Sequence, residues 1–222
     1  MSWAGFAAIF ALFFVTHSVP VRPGVKSRIT SRIGARGFSF FYSVMSLVML
    51  GVLIWAAGQA PEIWLWPQLA WHRWVIQAGM LVVCLLLALS IARPNPLSFG
   101  GGDNKRFDPD RPGIVRVARH PILIALALWS GLHLLANGDL AHVLLFGILG
   151  AFAVAGQKLV DRRKRRQLGP DRWHALTTAI ARAPLISRPT SWGGAAIRVV
   201  AGLTAYGALL WAHPFVIGVA AL

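Results

Sequence analysis

The chain has 222 residues, of which 56% are hydrophobic and 13% charged, about half the charge of an average soluble domain. That composition excludes an ordinary soluble enzyme, and uncharged runs near the roughly 20 residues of one bilayer crossing recur along the chain. The net charge is +15, from 22 Lys and Arg against 7 acids. In a soluble chain this would point to nucleic acid; here the placement of the charges assigns it to membrane topology, and no nucleic-acid partner is expected.

The predicted elements are all helical, about six transmembrane helices that include one tight hairpin. Residues 2–21 form the first span, with no Lys or Arg before Arg22, so the basic start of a cleavable signal peptide is missing and a retained span is expected. Residues 38–58 and 74–92 are free of charge and form the second and third. Between them Trp64, Trp66, Trp71 and Trp74 read as an interfacial belt. The single cysteine, Cys84, excludes an intramolecular disulfide and a CxxC motif and reads as a small packing residue. Residues 95–112, with Gly100-Gly101-Gly102, Pro96, Pro109 and Pro112, form an irregular connection that matches no phosphate-loop pattern. Residues 121–157 carry one charge, Asp139, within Ala136-Asn137-Gly138-Asp139, the signature of a helical hairpin. Its first arm, residues 121–136, is short, and a start near Gly113 would lengthen it, with the stems of Arg116 and Arg119 laid along apolar surface. Residues 199–222 form a sixth span, interrupted late by His213-Pro214.

Basic residues alternate from loop to loop. Five (Arg22, Lys26, Arg28, Arg32, Arg36) follow the first span, six (Arg93, Lys105, Arg106, Arg111, Arg116, Arg119) follow the third, and ten lie between Lys158 and Arg198, leaving only Arg73 elsewhere. By the positive-inside rule these loops are cytoplasmic and both termini periplasmic, in a bacterial inner membrane. The run Arg162-Arg163-Lys164-Arg165-Arg166 is either a plain stop-transfer signal or a contact for anionic headgroups, so membrane lipids with anionic headgroups at the cytoplasmic face are expected partners.

Ionisable side chains inside spans are costly and face cavities, partners or cofactors. Three histidines qualify. His17 ends an aromatic stripe of Phe6, Phe10, Phe13 and Phe14, opposite a thin face of Ala4, Ala8 and Ala11. His133 shares a helical face with Ser130 and Asn137, either of which would orient a ligating ring; the competing reading is a hydrogen bond between helices with no ligand. His120, in Arg119-His120-Pro121, begins a helix at a basic interface. The 13 steps from His120 to His133 put the two rings on different faces of a straight helix. Along the chain no Ser or Cys nucleophile has a base beside it, no carboxylate pair is placed for acid and base work, and no HExxH motif occurs.

The motifs from Gly113 through Arg119-His120-Pro121, then Trp129-Ser130-Gly131-Leu132-His133 to Asn137-Gly138-Asp139, with Thr16-His17-Ser18, Asn95-Pro96-Leu97 and Asp161-Arg162-Arg163, resemble the NnrU family of bacterial membrane proteins. The resemblance covers residues 1–190, so an NnrU-like transmembrane domain is expected there, with residues 191–222 an additional C-terminal helix. It implies a link to nitrogen-oxide (denitrification) metabolism and a relation to the 15-cis-zeta-carotene isomerases, which bind haem b. The implied axial ligands match His17 and His133 here, and Ser130 stands where the isomerases have a cysteine. The implied site would take a small gas ligand or a polyene, and any enzymatic activity would be a haem-dependent, isomerase-like one. By depth along the spans, about 12 Å at 1.5 Å per residue separates His17 from His133, and the pair at matching depth is His17 with His120.

A second resemblance joins Arg119-His120-Pro121, Leu168-Gly169-Pro170-Asp171-Arg172-Trp173 and Arg182-Ala183-Pro184 to membrane methyltransferases that use S-adenosylmethionine. The paired glutamates of those enzymes are replaced here by Asp161 and arginines, which implies shared fold rather than shared activity. The fourth alternative is a cofactor-free membrane scaffold.

Overall fold

The computed structural model describes residues 1–219. Its helices in chain order are α1 (Trp3–Ser18), α2 (Pro23–Gly58), α3 (Ala70–Ser90), α4 (Ile114–Val117), α5 (Pro121–Ala136), α6 (Leu140–Leu168), α7 (Pro170–Arg182) and α8 (Trp192–Ile217), with a 3-10 turn at Asn104–Arg106. Among the described residues there is no strand, only an isolated bridge between Trp64 and Asp139. Helices α2, α3, α6 and α8 are long and apolar enough to cross a membrane, and α1 and α5 are shorter apolar helices of 16 residues each. The protein is an all-α integral membrane protein. The end of the predicted sixth span, residues 220–222, lies outside the described residues.

Two compact units divide the chain, one made of residues 1–67 and 138–145, the other of residues 68–137 and the chain from Phe146 onward. In the first unit α1 packs on α2. The Ser2 hydroxyl accepts from the Gly5 amide at 3.2 Å and caps α1, satisfying one of the amides that a helix start leaves over. Phe6, Phe10 and Phe13 are buried, so the aromatic stripe faces protein. Helix α2 is longer than its charge-free part because a basic arm precedes it, broken at Gly34 (φ 72°, ψ 168°), a conformation essentially reserved for glycine. Lys26, Arg28 and Arg32 lie before the break and the apolar residues 38–58 after it. Farther on, the Leu65 amide donates to the Gly138 carbonyl at 2.7 Å and the Leu140 amide to the Ile63 carbonyl at 2.8 Å. A Cβ on Gly138 would overlap the Trp66 carbonyl, so this junction requires glycine.

In the second unit α3 is the centre, packed on one side by α5 and on another by α8. Val83, Ala125 and Leu132 form the α3/α5 core, with Met80 and Trp129 against it. Gly202 brings α8 close to Cys84, Leu85 and Ala88 of α3, the small-residue approach common between membrane helices. Arg198 of α8 donates to the carbonyls of Ala88 at 2.8 Å and Ile91 at 2.9 Å, closing carbonyls that the end of α3 leaves without helical donors. Helix α7 is amphipathic and lays Ile180 and Trp173 over Leu97 and Val115.

The expected lengthening of the first hairpin arm toward Gly113 does not occur. The chain leaves helical geometry at Ala118 (φ −134°, ψ 100°) and at His120 (φ −117°, ψ 65°) before α5 starts at Pro121. The reason is local, since a residue preceding proline is pushed out of the helical region. Arg116 and Arg119 accordingly do not extend α5: the Arg116 Nε donates to the Ala183 carbonyl at 2.9 Å and Arg119 pairs with Asp161 at 2.9 Å.

Candidate functional site

His17 sits in the last turn of α1, half-buried. Its Nδ1 lies 3.1 Å from the Phe13 carbonyl. A carbonyl only accepts, so in the neutral ring Nδ1 carries the proton and Nε2 the lone pair. Phe13 packs on one face of the imidazole at 4.0 Å between centroids, and Tyr42 of α2 meets it edge-on at 5.9 Å while donating its hydroxyl to the His17 carbonyl at 3.0 Å. Tyr42 was not legible as part of this site, because only the packing of α1 on α2 brings it there.

His133, in the second unit, repeats the arrangement. Its Nδ1 lies 2.9 Å from the Trp129 carbonyl, which again assigns the ring proton to Nδ1. Trp129 and Phe146 flank the ring, with centroids 4.9 and 5.0 Å away. Ser130 and Asn137 do not orient this ring: Ser130 is 1% exposed and packs toward Gly150 of α6, and the Asn137 amide donates to the backbone carbonyl of His133 at 2.8 Å. The orienting group is the carbonyl four residues back, the acceptor that helix geometry places closest. His133 and Asn137 also line a cavity of about 370 Å³ with His72, Gln77, Tyr206 and His213, residues that nothing along the sequence marked as neighbours.

His120 is placed differently. It is 3% exposed, with Nδ1 3.0 Å from the Ser98 hydroxyl and Nε2 2.8 Å from Asp161 Oδ1. Asp161 Oδ2 accepts from Arg119, whose guanidinium lies over the Trp173 ring at 5.5 Å. The Asn95 side chain donates to the Arg119 carbonyl at 3.0 Å and holds the turn before α5. Ser98 and Asp161 went unrecognised as partners of His120, although Asp161 stands alone as an acid between Asp139 and Asp171, a signal in a run otherwise basic. A second cavity, about 560 Å³, is lined by Arg116, Arg119, His120, Lys158 and Asp161.

The sequence profile described as NnrU protein matches residues 5–221. The chain belongs to the NnrU family. No curated protein and no solved structure matches it. The NnrU match runs through all the elements above, α8 included. Among the described residues of this NnrU-family chain no group of three or more His, Cys, Asp or Glu side chains is assembled to hold a metal ion.

Proposed function

We propose that this membrane protein binds haem b, which His17 and His133 would hold, and that it acts in nitrogen-oxide metabolism at the bacterial inner membrane with both termini periplasmic. The observation that carries the reading is shared by the two histidines. Each directs Nδ1 at the carbonyl four residues back, at 3.1 and 2.9 Å, so each holds Nε2 in the lone-pair form that a haem iron takes. A ligating imidazole almost always gives its other N–H to a carbonyl or carboxylate in this way, and the bond fixes ring orientation and raises basicity. Aromatic rings accompany each histidine within its own unit: Phe13 stacks against His17 at 4.0 Å between centroids, and Trp129 and Phe146 bracket His133. His120 is not offered to the group, since its two ring nitrogens are engaged by Ser98 and Asp161.

Bound haem would supply one-electron iron chemistry, and a small gas ligand would reach the iron only in place of one of the two histidines. His17 and His133 would hold the group through Nε2, with the neighbouring aromatic rings excluding water and the two carbonyl bonds raising the basicity of the imidazoles. A polyene isomerase would use the same ligands. Here Ser130 is sequestered at 1% exposure, so the serine that replaces the isomerase cysteine takes no part in ligation, and we favour the gas-ligand role.

The test is an oxidised and dithionite-reduced absorption spectrum of protein purified in mild detergent from haem-supplemented cells, with His17→Ala and His133→Ala alongside. Sharp low-spin bands lost in both variants are expected. Folded protein without a Soret band would leave a cofactor-free scaffold instead, and haem bands kept in either variant would exclude that histidine as a ligand.

A further inference from the structure

We propose that the cavity bounded by α4, the start of α5, α6 and α7 is a binding site for a phosphate-bearing anion, presented by the headgroup of an anionic membrane lipid. It is independent of the haem reading. Its volume, about 560 Å³, lies in the range of small-molecule sites, roughly 300–1,000 Å³.

Charge is the first argument. Arg116, Arg119 and Lys158 line the cavity against a single acid, Asp161. Both oxygens of that acid are occupied, Oδ1 by His120 at 2.8 Å and Oδ2 by Arg119 at 2.9 Å, so Asp161 offsets the charge of Arg119 and leaves Arg116 and Lys158 as the net positive charge of the wall. Arg116 is held by its Nε on the Ala183 carbonyl, which anchors a guanidinium whose planar fork suits phosphate oxygens. Two arginines and a lysine around one acid select an anion, and they disfavour a cationic ligand.

Position is the second argument. Helix α6 carries no charge from Leu140 to Gln157 and a dense basic run from Lys158 to Arg166, so the cavity straddles the level where this helix leaves hydrocarbon for headgroups. Its lining follows the same order along α6, with Val154 before that level and Lys158 and Asp161 at and after it. Val117 and Val154, which also line it, are 64% and 58% exposed, so apolar side chains with open surface border the cations. An amphiphile with a phosphate at one end and acyl chains at the other matches both halves, as basic pockets between membrane helices do.

The experiment is native mass spectrometry of the whole protein in detergent, titrated separately with dioleoylphosphatidylglycerol, dioleoylphosphatidylcholine, inorganic phosphate and S-adenosylmethionine. Phosphatidylglycerol is expected to bind more tightly than phosphatidylcholine, and Lys158→Gln and Arg116→Gln each to weaken it about five-fold. Arg165→Gln with Arg166→Gln, on the same helix but outside the cavity lining, should change it less than about two-fold. Inorganic phosphate that binds as tightly, with the same dependence on Lys158, would support the anion site and assign it to a soluble source. Lys158 is exposed, so Lys158→Gln leaves the packing in place if Arg116→Gln fails to fold; circular dichroism checks both. Phosphatidylglycerol affinity that ignores both cavity cations, or equals that of phosphatidylcholine, would overturn the proposal. So would S-adenosylmethionine binding in preference to every phosphate probe.

Discussion

His120 and Asp161, 41 positions apart, meet at 2.8 Å and join the turn before α5 to the basic end of α6. Arg119 adds a second bond to the same carboxylate, but that pair is 44% and 32% exposed and contributes little in water. Most of the cost of removing the acid should therefore come from the buried imidazole. Asp161→Ala is expected to destabilise the detergent-solubilised protein by about 1–3 kcal/mol. Asp161→Asn should cost less, because its amide oxygen still accepts from His120. Equal melting temperatures for Asp161→Ala and the parent would contradict this account.

The engagement of both His120 nitrogens gives a spectroscopic prediction. His120→Ala should leave the reduced haem bands where they are, while His17→Ala and His133→Ala each abolish them. A spectrum lost in His120→Ala and kept in His133→Ala would move the ligand pair to His17 and His120.

The junction at Gly138 leaves no volume for a side chain. Gly138→Ala forces a Cβ into the Trp66 carbonyl, and the obstacle is backbone, which cannot swing aside as a side chain would. Loss of the Leu65 to Gly138 bond is expected, with destabilisation of about 2–4 kcal/mol. Thermal melts compared with Gly131→Ala, a position with nothing within 4 Å of the added carbon, provide the control.

Orientation is open to chemical labelling, since Cys84 is the one native thiol and is buried. In a Cys84→Ala background, Glu62→Cys should react with a membrane-impermeant maleimide in intact spheroplasts, and Ser31→Cys only after permeabilisation. The reverse pattern would invert the positive-inside assignment.

The apolar helices were legible because hydrocarbon enforces long runs without charge, and residues 38–58 and 74–92 announce themselves that way. Two helices were not. The arm of α2 before Gly34 and all of α7 are polar or amphipathic, so neither shows a charge-free run, and α7 earns its place by packing Ile180 on Leu97 and Val115. The candidate histidines stood out because ionisable groups are rare in spans. Their surroundings did not: Ser98 comes to His120 across 22 positions and Asp161 across 41, and no local pattern encodes such pairings. Ser130, His133 and Asn137 were read as one helical face, yet the ring of His133 bonds within its own helix, to Trp129, and Asn137 lies beyond the end of α5 in extended backbone. A one-dimensional stripe shows which residues are neighbours and not which atoms meet.

The bonds from Arg198 to the Ala88 and Ile91 carbonyls span 110 and 107 positions. At about 5–20 residues per second, a ribosome needs roughly 5–20 s to travel that far. Throughout that interval α3 has been synthesised without the guanidinium that closes its end, and the face that receives Gly202 is uncovered. Synthesis of the hairpin therefore precedes closure of the end of α3, and a chain halted between the two would lack both the guanidinium for these carbonyls and the helix that covers this face.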